Sequence, residues 1–87
     1  MKPTARKNNL KVTRDTGELF IDDLANGQQI YLNPTSAYIW EKCDGKKDVG
    51  EIAMEMEREL GMTVSEKVVS LALSKLAKSR LLEPEFA

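Results

Sequence analysis

The residue types able to do chemistry are few in this chain, and their spacing argues against a reactive centre. There is no histidine, so neither Cys43, the single cysteine, nor any serine has the usual base beside it. Without histidine, one cysteine cannot build a Cys/His metal site. It cannot form an intramolecular disulfide either, and its ordinary role is that of a small buried hydrophobe in a reducing compartment. Asp22-Asp23 is an adjacent carboxylate pair, but it flanks a turn, where solvated acids are the default. Glu55 and Glu59 share a helix face with Arg58 nearby, which reads as a solvated surface. Trp40 lies in an apolar pattern and reads as a core anchor. No glycine-rich phosphate loop is present, and no cofactor is expected.

Length and charge narrow the classes further. Eighty-seven residues make one domain with a modest core. The 13 basic and 14 acidic residues leave a net charge of −1, which gives no field to draw in a phosphate backbone. No apolar run approaches the roughly 20 residues that cross a bilayer. Met1 to Asn9 is basic but lacks the apolar segment of a signal peptide. The expectation is a cytoplasmic protein with neither nucleic acid nor membrane as partner.

The elements that must position any site follow from local signals. Residues 1–9 are polar and expected to be mobile. A weak alternation starts at Leu10, Asp15-Thr16-Gly17 reads as a turn, and Glu18–Asp22 and Gln28–Leu32 read as strands. Asn26-Gly27 between them supplies hairpin chemistry. Asn33 is a good N-cap and Pro34 suits the first helical position. Ser36, Ile39, Trp40 and Cys43 then share one face, and Asp44-Gly45 stops the helix. A second helix starts at Asp48, with Glu51 completing a capping box. Its apolar face is Val49, Ile52, Ala53, Met56 and Leu60, and Gly61 ends it. Thr63 and Glu66 suggest another capping box for a third helix reaching about Ser79, after which Leu81-Leu82 return to the core. Three strands then three helices indicate an α+β domain.

The third helix is more apolar than one contact surface requires. Val64, Val68, Val69, Leu71, Ala72, Leu73, Leu76 and Ala77 spread over more than half its circumference, whereas a single packed face needs a stripe about 100° wide. Either the helix is buried between layers or one flank lines a groove. Both hold if Ala72 and Leu76 turn inward while Val68, Leu71 and Lys75 occupy an open flank.

The run Leu32-Asn33-Pro34-Thr35-Ser36-Ala37, then Ile39-Trp40 and Cys43-Asp44-Gly45, resembles the PqqD-like proteins. Val49, Glu51-Ile52-Ala53, Val69, Leu73, Leu76 and Leu81-Leu82 extend the likeness over about residues 10–83, with 84–87 as a short tail. The resemblance implies a winged-helix-like fold, a three-stranded antiparallel β-sheet followed by three α-helices. It further implies a RiPP precursor peptide recognition element: a non-catalytic peptide chaperone that binds a leader peptide and presents it to a modifying enzyme. In pyrroloquinoline quinone biosynthesis that enzyme is a radical S-adenosylmethionine protein.

In related members the leader adds a strand to the third strand and packs on the third helix. The matching residues here are Gln28, Gln29, Ile30, Tyr31 and Leu32 on the strand, and Val68, Leu71 and Lys75 on the helix. This chain departs from the quinone-pathway members at Ile21-Asp22-Asp23, where they carry Pro-Glu. It also has Val68, Ala72 and Arg80 where they tend to have Asp, Phe and Gly. A different peptide or maturase is expected if the groove has changed. The rival is a winged-helix DNA binder, for which helix three offers only Lys67, Lys75, Lys78 and Arg80. An exposed strand edge also allows a weak or swapped homodimer beside the monomer.

Overall fold

The computed structural model describes residues 2–84. Three strands, β1 (Leu10–Asp15), β2 (Glu18–Asp23) and β3 (Gln28–Leu32), form an antiparallel sheet in the order β1-β2-β3. Three helices follow, α1 (Pro34–Lys42), α2 (Val49–Leu60) and α3 (Glu66–Lys78). This is the α+β arrangement expected from the element order. The helices cover one face of the sheet, and Leu19 and Ile21 of β2 point into the core against Ile39, Trp40, Ile52, Met56, Leu73 and Leu81.

Caps fix the helix starts and ends. The Asn33 side chain accepts from the Ser36 N–H at 2.8 Å, with Pro34 at the first helical position. Asp48 accepts from the Glu51 N–H at 2.9 Å while Glu51 accepts from the Asp48 N–H at 3.0 Å, the reciprocal box read from sequence. Gly61, at φ +67°, closes α2 in the left-handed conformation.

Helix α3 starts differently from the sequence expectation. Its N-cap is Ser65, whose hydroxyl accepts from the Val68 N–H at 3.2 Å, and not Thr63 with Glu66. Any serine or threonine in the connection offers a cap, and Ser65 is the one that directly precedes the first helical residue, Glu66. At the other end the Arg80 N–H donates to the Ala77 carbonyl and the Leu81 N–H to the Leu76 carbonyl, at 3.0 and 2.9 Å. That is a Schellman cap, and it turns Leu81 and Leu82 back into the core. Its left-handed position falls on Arg80, at φ +61°.

Two further expectations are corrected. Leu60 is 46% exposed and lines a surface cleft with Tyr38 and Met62, outside the core. Residues 3–6 are a packed segment: Pro3 and Ala5 are buried, and Ala5 bridges to Leu82 while Thr4 bridges to Asp44. The Ala5 N–H donates to the Cys43 carbonyl and the Arg6 N–H to the Leu81 carbonyl, both at 2.8 Å. Alternating Pro3 and Ala5 is too short an apolar signal to be read as structure without the partners that bury it. Of the tail 84–87, only Pro84 lies within the described residues.

Candidate functional site

Strand order leaves β1 and β3 at the two edges of the sheet. The edges differ in chemistry. Along β1 stand Lys11, Arg14 and Asp15, the charged side chains that discourage further pairing. Along β3 stand Gln28, Gln29, Ile30, Tyr31 and Leu32, with neither charge nor proline. No strand pairs with the outer side of β3 among the described residues, so its outward N–H and C=O groups have no strand partner there.

Beside that edge lies a groove of about 290 Å³ between β3 and α3. Ile30, Tyr31 and Leu32 line one side, Ala72, Lys75, Leu76 and Ser79 the other, and Asn33 and Ser36 of the α1 start close one end. The helical residues are spaced 72, 75, 76, 79, one stripe of α3. Lys75 is the sole charged residue of the lining and makes no ion pair among the described residues.

The residues singled out from sequence separate into those that meet and those that do not. Ile30, Tyr31, Leu32 and Lys75 converge on the groove. Gln28 spans its far end: its amide donates to the Ser79 carbonyl at 3.2 Å and to the Asp23 carboxylate at 3.3 Å, tying β3 to the end of α3. Gln29 faces the solvent side of the sheet. Val68 and Leu71 are 47% and 58% exposed on α3 and do not line the groove. Val68 continues the 72–75–79 stripe toward the helix start, while Leu71 lies at its margin. Val69, Leu73 and Leu76 form the buried face, so α3 has one core side and one open flank. Ala72, Leu76 and Ser79 as wall residues, and Asn33 and Ser36 as the end, were absent from the sequence-based set. The spacing of Ala72 and Leu76 from Lys75 could have found the first two.

Asp23 anchors the polar end of this region and is no solvated turn acid. It is 1% exposed and receives both guanidinium arms of Arg6, at 2.8 and 3.0 Å. The Ala25 and Asn26 N–H groups and the Asn26 and Gln28 amides also donate to it. Arg6 and these donors hold its carboxyl well below the usual carboxylate range against the opposing effect of burial. Arg6 also donates to the Arg80 carbonyl at 2.8 Å, and Arg80 donates to Asn26. The β2–β3 turn, the N-terminal segment and the end of α3 thus meet in one knot.

The remaining candidates behave structurally. Cys43 is buried, its thiol donates to the Ile39 carbonyl at 3.1 Å, and burial with Asp44 nearby pushes its pKa up to about 11. Trp40 is a core anchor whose indole N–H donates to the Leu81 carbonyl at 2.9 Å. Glu55 and Glu59 are tied to Lys42 of α1 at 3.3 and 3.2 Å, a bridge between helices that the single-helix pattern did not show. A second cleft of about 400 Å³ is lined by Arg14, Gly17, Pro34, Thr35, Tyr38, Glu41, Leu60 and Met62. Its charged pair, Arg14 and Glu41, is already joined in an ion pair.

An uncharged sheet edge running along a helix-walled groove defines the class: a small α+β domain with one groove-bordered margin. The chain belongs to the PqqD family, matching the family described as coenzyme PQQ synthesis protein D over residues 18–82. Among solved structures it is similar to TbiB1 in complex with the TbiA(beta) leader peptide. That match has a TM-score of 0.72 and 21% identity, and covers 93% of this chain and 95% of that one. No curated protein sequence matches the chain closely. No described helix is long and apolar enough to cross a membrane.

Proposed function

We infer that this protein binds the leader segment of a ribosomally synthesised precursor peptide and presents it to a modifying enzyme. The leader adds as a fourth strand along β3, beside α3. One observation carries this reading: the unpaired, uncharged β3 edge is the one that borders the groove, while the other edge is guarded by charge. Main-chain pairing supplies affinity with little sequence demand, and the groove selects side chains. Membership of the PqqD family and the likeness to a leader-bound protein support it. The domain acts without catalysing, in the cytoplasm, as monomer or weak dimer, and its client is a radical S-adenosylmethionine enzyme or another peptide maturase.

The test is titration of the ¹⁵N-labelled chain with the precursor peptide encoded beside its gene. Shifts should concentrate on residues 28–32 and on the 72–79 stripe of α3. Shifts confined to the outward surface of α2, or none, sink the proposal. A DNA retardation assay with tight, salt-dependent binding would revive the rival reading.

A further inference from the structure

The solvent face of the sheet carries an aromatic row, of which only Tyr31 also borders the groove. The register sets Thr13 opposite Phe20 and Phe20 opposite Tyr31, so these side chains stand side by side across the three strands, away from the helices. The Phe20 and Tyr31 rings lie 5.4 Å apart between centroids, tilted by 51°, and remain 45% and 52% exposed. The Tyr31 hydroxyl donates to the Glu18 carboxylate, which holds the ring over the sheet. The row ends at Tyr31, on the strand whose outer edge has no strand partner among the described residues.

Geometry dictates what a guest strand does there. Its side chains alternate: one set enters the groove beside Ile30 and Leu32, the other stands on the solvent face. Whichever outward residue falls opposite Tyr31 becomes the next member of the aromatic row, within the about 4.5–5.5 Å Cβ spacing of cross-strand pairs. We propose that Tyr31, backed by Phe20, is a specificity-determining residue that selects an aromatic or β-branched side chain at that outward position of the guest. The inference rests on strand addition to β3. It adds a second reading head, on the solvent face of the sheet, so the leader is read on both sides of its pleat. Covering the half-exposed rings removes apolar surface from water, and the ring pair offers edge-to-face packing to a third member.

The test is selection from a random-peptide display library on the wild-type chain and on its Tyr31→Thr and Phe20→Thr variants. Threonine keeps strand propensity at exposed positions, and denaturant unfolding verifies the fold. Wild type should enrich peptides with an aromatic or β-branched residue at one fixed position, two residues from its outward neighbours. Tyr31→Thr should lose that preference while keeping the groove-facing ones, and bind the wild-type consensus about three- to tenfold more weakly. Phe20→Thr should show a smaller change of the same kind. An unaltered consensus on Tyr31→Thr overturns the proposal and leaves strand addition standing. A library yielding no peptide that shifts residues 28–32 overturns both. A Tyr31-dependent homodimer in the absence of peptide overturns it in favour of self-association.

Discussion

Arg6 and Asp23, 17 residues apart in sequence, form a two-pronged ion pair with Nη1–Oδ2 at 3.0 Å and Nη2–Oδ1 at 2.8 Å. It joins the N-terminal segment to the β2–β3 turn at the end of the groove where Gln28 reaches Ser79. Removing one partner leaves the other charge buried or half-buried without compensation. Arg6→Met should therefore destabilise the fold more than Arg14→Met, which breaks an exposed pair with Glu41. Urea midpoints of the two variants decide the ranking; equal midpoints would refute it.

The same pair sets an acid limit. Because Asp23 titrates lower folded than unfolded, the unfolded state takes up its proton first as pH falls. Its contribution is complete above about pH 5 and declines as pH drops through the ordinary carboxylate value of about 3.9. Asp23→Asn should lower stability at neutral pH and flatten the acid slope, as followed by urea unfolding between neutral and acid pH.

Successive residues of an edge strand turn their N–H groups alternately to the neighbouring strand and to the open side. Of Ile30→Pro and Tyr31→Pro, one should damage the β2–β3 ladder and the other should spare the fold and weaken guest binding beyond Tyr31→Thr. Peptide titration and urea unfolding of both variants separate the effects. Unimpaired affinity in each would exclude strand addition.

Lys75 is the sole charge on the groove wall among the described residues, so Lys75→Glu should weaken an acidic guest by up to about fivefold and reverse the salt dependence. Calorimetric titration at two salt concentrations reads this out. A neutral guest should be indifferent.

Arg80 occupies a left-handed position that costs L-residues with a Cβ roughly 1–2 kcal/mol. Arg80→Gly should therefore stabilise the domain by about 0.5–1 kcal/mol, while Arg80→Ala, which loses the bond to Asn26 and keeps the strain, should not. By contrast, Leu73→Ala on the buried side of α3 should cost about 2–5 kcal/mol, and Leu71→Ala on its open flank about 0.5 kcal/mol or less. Denaturant titration of the four variants gives the comparison.

Local signals in the chain determined its elements. Asn33-Pro34, the Asp48/Glu51 box and Gly61 act through backbone bonds within a few residues, so they are readable without knowing the fold. The burial of Cys43 and Trp40 followed from one helical stripe. The likeness of residues 32–45 to the PqqD pattern carried the family, and the family match over residues 18–82 agrees with it. Only the tertiary structure decided the choice of Ser65 over Thr63, the exposure of Leu60 and the burial of Asp23, because each depends on partners far away in sequence. It also decided which flank of α3 walls the groove: Ala72, Lys75, Leu76 and Ser79 face β3, while Val68 and Leu71 fall outside the lining. A helix's period shows which residues share a side, but the neighbour that side meets is set by how the chain closes, here by residues 3–6 and 81–83 pairing across the domain.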